Sequence, residues 1–174
     1  IERVTGRPLL AQPLDPGFTF RPHPDQCAAT ERCTWRGRVM RGEVHDENAF
    51  ALGGASGHAG LFGAIDAVLD FAAAMLDGTA LPPEGLAALR RREASQRTLG
   101  WEMKYEMWSG GARCSEDCIG HTGFTGTGLW IDVERGLAWS LLTNRVHPTR
   151  HFDSGIIPLR RAVGEAAVAA FDAG

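Results

Sequence analysis

The stretch Gly120-His-Thr-Gly-Phe-Thr-Gly-Thr-Gly-Leu-Trp-Ile-Asp132, continued by Val133-Glu-Arg-Gly136 and Leu137-Ala-Trp-Ser-Leu-Leu-Thr143, decides how this chain is read. Residues 127–132 and 137–143 are two runs of β-branched, aromatic and aliphatic side chains, the composition that fits a pleated, half-buried surface. The four residues between them end in Gly136, which can take φ > 0, so the two runs predict a β-hairpin. The second run is almost wholly apolar, which predicts a central strand covered on both faces.

Immediately before the hairpin, His121-Thr122-Gly123 is followed by the small residues Thr125, Gly126 and Thr127. Backbone amides there can approach a ligand with no Cβ in the way. The same tripeptide also reads as a glycine-rich strand entry with one exposed histidine.

Residues 120–148, from Gly-His-Thr-Gly-Phe-Thr-Gly-Thr through Leu-Trp-Ile-Asp to Leu-Leu-Thr-Asn-Arg-Val-His-Pro, resemble the His-Thr-Gly branch of the serine β-lactamases, penicillin-binding proteins and related esterases. The resemblance extends upstream through Gly42-Glu-Val-His-Asp-Glu-Asn-Ala49 and the run from Gly53-Gly54 to Gly57-His-Ala-Gly-Leu-Phe62. It implies an α/β (α+β) three-layer fold, an antiparallel sheet flanked by helices. It implies hydrolysis of an ester or amide through an acyl-enzyme: a β-lactam, a peptidoglycan-type peptide or a small ester. His121, Thr122 and Gly123 would be the family's third motif, and the backbone N–H of Phe124 one oxyanion donor. His121 would orient or relay a proton, titrating near neutral pH where the lysine variant keeps a fixed charge.

The resemblance covers nearly all of this chain but only the later half of the family's domain. The family's nucleophile and base lie in Ser-x-x-Lys, one helical turn apart, and these 174 residues contain no such motif. The single lysine, Lys104, has Trp101 three residues before it, and the single tyrosine, Tyr105, precedes Glu106-Met107 rather than x-Asn. The chain alone is therefore expected to be inactive, and an apolar face left by the missing half is expected to drive dimerisation or association with that half. The rival reading is a non-catalytic module that keeps the cleft wall to bind a ligand or partner.

At 174 residues and 44% hydrophobic content the chain predicts a single domain, 1–174, with a sizeable core. A net charge of −3 from 18 basic and 21 acidic residues gives no electrostatic footprint for nucleic acid. No apolar run reaches the roughly 20 residues of a membrane span. The start, Ile1-Glu-Arg-Val-Thr-Gly6, has neither initiator methionine nor signal-peptide pattern, which predicts a chain entered mid-domain and favours the cytoplasm.

Cys27, Cys33, Cys114 and Cys118 form Cys-x5-Cys and Cys-x3-Cys pairs, a poor fit to structural zinc knuckles, so free, partly buried thiols are expected rather than a metal or disulfides. No cofactor is expected.

Along the chain, residues 1–6 read as a helix tail ending near Gly6, and 18–34 as a surface loop. His45-Asp-Glu-Asn48 reads as a turn held by the Asp46 and Asn48 side chains, in a loop bordering the cleft, with His45 a possible cleft-lining residue. Gly53, Gly54, Gly57 and Gly60 surround His58, a second possible cleft-lining residue, and lead into a helix carrying Ile65, Val68, Leu69, Ala72, Met75 and Leu76. That loop lacks the lysine of a phosphate-binding loop, so it is read as letting two backbones pass closely.

A further helix follows Leu81-Pro-Pro-Glu84 and ends in Arg90-Arg-Arg92 as a solvated last turn. Residues 99–107 alternate as a half-buried strand whose partner would begin near Arg113. A final amphipathic helix buries Ile156, Leu159, Val163, Ala166, Ala167 and Ala170 against the sheet.

Overall fold

The computed structural model describes residues 3, 6–11 and 14–174. The helix tail expected over 1–6 lies outside the described residues except for Arg3, which is helical, and Gly6, at φ 67°. The chain forms two compact units, Ile1–Ala67 with Asn144–Phe152, and Val68–Thr143 with Asp153–Gly174.

The first unit holds two small antiparallel pairs. Strand β1 (Phe18–Thr19) pairs with β4 (Phe62–Gly63), and β2 (Arg32–Cys33) pairs with β3 (Arg38–Val39). The stretch expected to be all loop over 18–34 thus contributes two short strands and a 3-10 turn at Pro24–Gln26. Helix α1 (Glu47–Ala51) replaces the expected turn, because Asp46 Oδ1 accepts the Ala49 N–H at 2.8 Å and so caps a helix. At Gly60, φ is 119° and a Cβ would lie 2.8 Å from the Ala55 Cα, so the glycine-rich loop does let two backbones cross closely.

Helix α2 (Ile65–Leu76) begins and ends on the first and last of the periodic apolar residues, and α3 (Pro83–Arg90) starts at the predicted prolines. The arginine triplet is only partly a helical turn. Arg90 ends α3 and pairs with Asp117, whereas Arg91 pairs with Glu93, and Arg92 donates to the Ser95 and Lys104 carbonyls.

The second unit is built on an antiparallel sheet in the order β5 (Glu102–Met103), β6 (Ile119–Thr122), β7 (Gly128–Asp132), β8 (Leu137–Leu141). The predicted hairpin is β7–β8, with Trp130 opposite Trp139 and Gly136 at φ 68°. Asp132, fully buried, secures the turn by accepting the Arg135 N–H at 3.2 Å and the Ser115 N–H at 2.8 Å.

Alternation along β7 sends Trp130 to one face and Ile131 to the other. Ile131 joins Ile119, Met103 and the α2 residues Ala72 and Met75, with Leu86 and Leu89 of α3 packed against them. Trp130 joins Trp139, Trp108, Cys114 and Cys118, together with Val168 of the last helix, α4 (Ile156–Ala173). Helices therefore cover both faces of the sheet, the three-layer arrangement expected from the sequence.

Several details depart from expectation. β8 is the edge strand of the described sheet and only Trp139 in it is buried; β7 is the more deeply covered strand. The strand expected over 99–107 shrinks to β5, because the chain turns at Tyr105–Trp108 and Lys104 Nζ reaches the Cys114 carbonyl at 2.7 Å. Its partner starts at Ile119 rather than near Arg113, since the residues between fold inward to bury Cys114 and Cys118.

The buried row of α4 is Ile156, Arg160, Gly164 and Val168, and Leu159 stays 45% exposed. The cause is close approach: the space where a Gly164 Cβ would stand is taken by the Gly110 carbonyl. Only a row containing that glycine can face the sheet.

Candidate functional site

His121 sits on β6 opposite Leu129 and shares a face with Ile119, two residues earlier, but at the exposed end of the strand. Gly120, opposite Trp130, must be glycine because a Cβ there would strike the indole ring. Both ring nitrogens of His121 are engaged. Nδ1 lies 3.0 Å from the Thr122 carbonyl, which only accepts, so Nδ1 carries the hydrogen. Nε2 then accepts from Arg97 Nη1 at 3.1 Å, and Arg97 Nη2 stands 3.2 Å from Glu102 Oε1. The result is a neutral imidazole of one defined tautomer, with a guanidinium against its far nitrogen and a carboxylate behind that.

Beyond Thr122 the chain closes a tight loop. The Gly126 N–H donates to the Gly123 carbonyl at 3.1 Å and the Gly123 N–H to the Thr127 carbonyl at 2.9 Å. Gly126 takes φ 116°, and Thr143 Oγ1 donates to its carbonyl at 2.7 Å. A Cβ on Gly123 would occupy the position of Thr127 Oγ1. Phe124, at the tip of this loop, is 53% exposed. The structure thus brings His121, Thr122, Gly123 and Phe124 together as a strand end and a closed turn.

It adds Arg160, a residue that sequence reasoning missed. Arg160 is 7% exposed, and its Nη2 donates to the Gly123 carbonyl at 2.9 Å and the Thr127 carbonyl at 2.7 Å. The signal was present in the Ile156-x3-Arg160-x3-Gly164-x3-Val168 row, which the more hydrophobic row one position away concealed.

His58 and His45 lie in the other unit. His58 Nε2 stands 3.1 Å from Asp46 Oδ1, and its Nδ1 stands 2.8 Å from Ser56 Oγ. The carboxylate fixes the hydrogen on Nε2, leaving Nδ1 to accept from the Ser56 hydroxyl. Because Asp46 also caps α1, His58 fastens the glycine-rich loop to that cap. The Asp46 carboxyl is held below its ordinary pKa by the Ala49 N–H bond.

His45 is buried within an ion-paired group. Arg150 donates to both oxygens of Glu31 at 2.7–3.0 Å, to Glu47 Oε1 at 2.7 Å and to His45 Nε2 at 3.1 Å. His45 Nδ1 meets Thr30 Oγ1 at 3.0 Å. Burial and then the Arg150 charge push the His45 pKa down, while Arg150 draws the Glu31 pKa below the carboxylate range.

The stability consequences of these two shifts have the same sign. In each case the unfolded chain binds the proton first, so the folded state loses stability on acidification. A first decline is expected below about pH 6.5, the ordinary histidine value, as His45 protonates preferentially in the unfolded chain. A second is expected below about pH 4.5, as Glu31 and the other carboxyls held low in the fold, Asp46 and Glu47 among them, protonate preferentially in the unfolded chain. Urea unfolding from about pH 8 down to about pH 2 should show both steps, and His45→Gln should remove the first. A flat profile would contradict this account.

All four cysteines are free, with Cys33, Cys114 and Cys118 buried. Among the described residues no group of three or more His, Cys, Asp or Glu side chains is placed to hold a metal ion, and no helix is long and apolar enough to cross a membrane.

The Beta-lactamase family profile matches residues 1–162. The chain is 33% identical over 189 aligned positions to an N-acetylmuramyl-L-alanine amidase of Bacillus subtilis (strain 168), covering 84% of this chain and 42% of that protein. It is 31% identical to a protein of Escherichia coli O157:H7 with the provisional name D-alanyl-D-alanine carboxypeptidase, covering 91% of this chain and 47% of that one. Among solved structures it is similar to the simvastatin synthase of Aspergillus terreus in a mutant form, with TM-score 0.63 at 18% identity, covering 91% of this chain and 48% of that chain. The chain spans somewhat less than half the length of these relatives.

Proposed function

Because the chain belongs to the β-lactamase family, we propose that it forms the His-Thr-Gly wall of a serine acyl-transfer site whose nucleophile lies outside these 174 residues. The reading is carried by one observation: His121, in a single tautomer, stands beside a closed glycine loop whose tip residue, Phe124, is the expected oxyanion donor.

In this reading a serine Oγ, its proton taken by the lysine of Ser-x-x-Lys outside these residues, attacks the carbonyl carbon of an ester or amide. The Phe124 N–H donates a hydrogen bond to the resulting oxyanion, and its collapse breaks the bond to the alcohol or amine, which departs with the proton and leaves an acyl-serine for water to hydrolyse. With both ring nitrogens engaged, His121 acts by orienting the bound acyl group. Arg97 against Nε2 supplies the fixed positive charge that the lysine variant of the motif carries itself. The names of the amidase and carboxypeptidase relatives suggest the amide bonds of peptidoglycan-type peptides as the substrate class.

A chain without Ser-x-x-Lys has no base-activated serine of the family type. It is therefore expected to turn over neither an activated ester nor a β-lactam, whereas a longer product of the same gene carrying that motif should hydrolyse at least one. Steady-state assays of both proteins test this; equal turnover by both would place the nucleophile within this chain.

For the 174 residues taken alone, the lack of Ser-x-x-Lys and Tyr-x-Asn favours a second reading, saturable ligand binding without a covalent adduct. The wall would also associate. β8 ends the described sheet, and Ile157, Leu159 and Phe171 stand exposed on α4, so the missing half or a second copy would cover this side. Light scattering at increasing concentration should show a mass above 18.8 kDa. A monodisperse monomer throughout the range would contradict association.

A further inference from the structure

We propose that Arg160 is a positioning residue that aims the Phe124 N–H, a role that rests on the acyl-transfer reading of the His-Thr-Gly strand. Arg160 is almost wholly buried on the inner row of α4, and one of its terminal nitrogens spans the two carbonyls at the neck of the loop, those of Gly123 and Thr127. The same carbonyls accept the loop's own closing bonds, from the N–H groups of Gly126 and Gly123. The guanidinium therefore reinforces the two bonds that define the loop.

The geometric consequence comes from peptide planarity. The Gly123 carbonyl and the Phe124 N–H belong to one peptide unit, and in a trans unit they point in opposite directions. Fixing the carbonyl oxygen toward Arg160 on α4 fixes the Phe124 N–H away from α4. No contact to Phe124 is required for this control. The electrostatic consequence runs the same way: a cation on the carbonyl oxygen polarises the peptide unit and makes its N–H a stronger donor. A neutral donor at position 160 would keep neither effect in full.

The placement of α4 brings Arg160 to the loop from a closely packed helix. Gly164, one turn after Arg160, packs against the Gly110 carbonyl with no room for a Cβ, so the helix is seated at close approach beside the residue that reaches the loop.

The test uses Arg160→Met, which keeps an apolar stem in the core, and Arg160→Lys, which keeps charge but presents a single nitrogen. In 15N-labelled chain, the Phe124 and Gly126 amide resonances should move in Arg160→Met, and amide exchange at Gly123 and Gly126 should speed up at least 10-fold. The indole resonances of Trp130 and Trp139 should stay in place. Added guanidinium should draw the Phe124 resonance back toward its original position, and Arg160→Lys should fall between the two.

In a longer, acylation-competent product of the gene, Arg160→Met should lower the acylation rate about 100-fold, the scale of losing one oxyanion donor, with little change in KM. Unmoved loop amides, or an unmoved acylation rate in a competent enzyme, would overturn the positioning role. A wild-type longer product that is never acylated would instead overturn the acyl-transfer reading, and with it the catalytic meaning of Arg160; loop amides that still respond would leave Arg160 as a structural clamp only.

Discussion

Arg150→Ala is expected to destabilise the chain by about 3 kcal/mol, toward the lower end of the cost of breaking a buried ion pair. The reason lies in what is left behind. The Glu31 side chain is 6% exposed and both its oxygens are bound by Arg150, so truncation strands a buried carboxylate without its counter-charge. The Glu47 and His45 contacts to the same guanidinium are lost with it. Water reaches Arg150 more readily than Glu31, which tempers the cost.

Arg150→Ala with Glu31→Gln should recover much of the loss, because the stranded charge is gone. Urea denaturation at pH 7 measures both. A cost below about 1 kcal/mol for Arg150→Ala, the range of exposed pairs, would show that the group is solvated and contributes little.

His121→Ala in an acylation-competent longer product should lower kcat/KM by about 100- to 1,000-fold, with most of the loss in kcat. The imidazole organises the strand end from both sides: Nδ1–H holds the Thr122 carbonyl, and Nε2 holds Arg97. Removing it frees the guanidinium from the position where its charge would act and loosens the residue preceding the glycine loop. His121→Lys should lose much less, since it restores a cation at that position. If alanine were as active as histidine, His121 would have no part in the chemistry, and the loop after it would act alone.

The parts of this fold that were legible in the sequence share one property, a signal contained within a few turns or one hairpin. The β7–β8 hairpin was marked by two apolar runs and a glycine turn, with strands slightly shorter than those runs, and α2 by its three- and four-residue spacing. The family resemblance added the three-layer arrangement, which no single periodicity specifies.

What was missed depends on contacts distant in sequence. Glu31 and Arg150 are separated by 119 positions, and nothing local in either segment announces the pair. The face of α4 was misjudged because hydrophobicity favoured Leu159 and Val163, whereas the inner row is set by the one glycine that can meet the Gly110 carbonyl. That row contains Arg160, which by composition belongs on a solvated surface and instead binds the loop of the candidate site. The short β5 reflects the same limit: alternation over 99–107 is real, but Lys104 turns inward to the Cys114 carbonyl and ends the pairing.

The most direct test of the account is the intact mass of two proteins, this chain and a longer product of its gene, each after incubation with a fluorophosphonate and with a penicillin. The account predicts a covalent adduct on the longer product, mapped to the serine of Ser-x-x-Lys, and none on the 174-residue chain, even though Ser56 Oγ lies 2.8 Å from His58 Nδ1. An adduct on Ser56 of this chain, or no adduct on either protein, would contradict it.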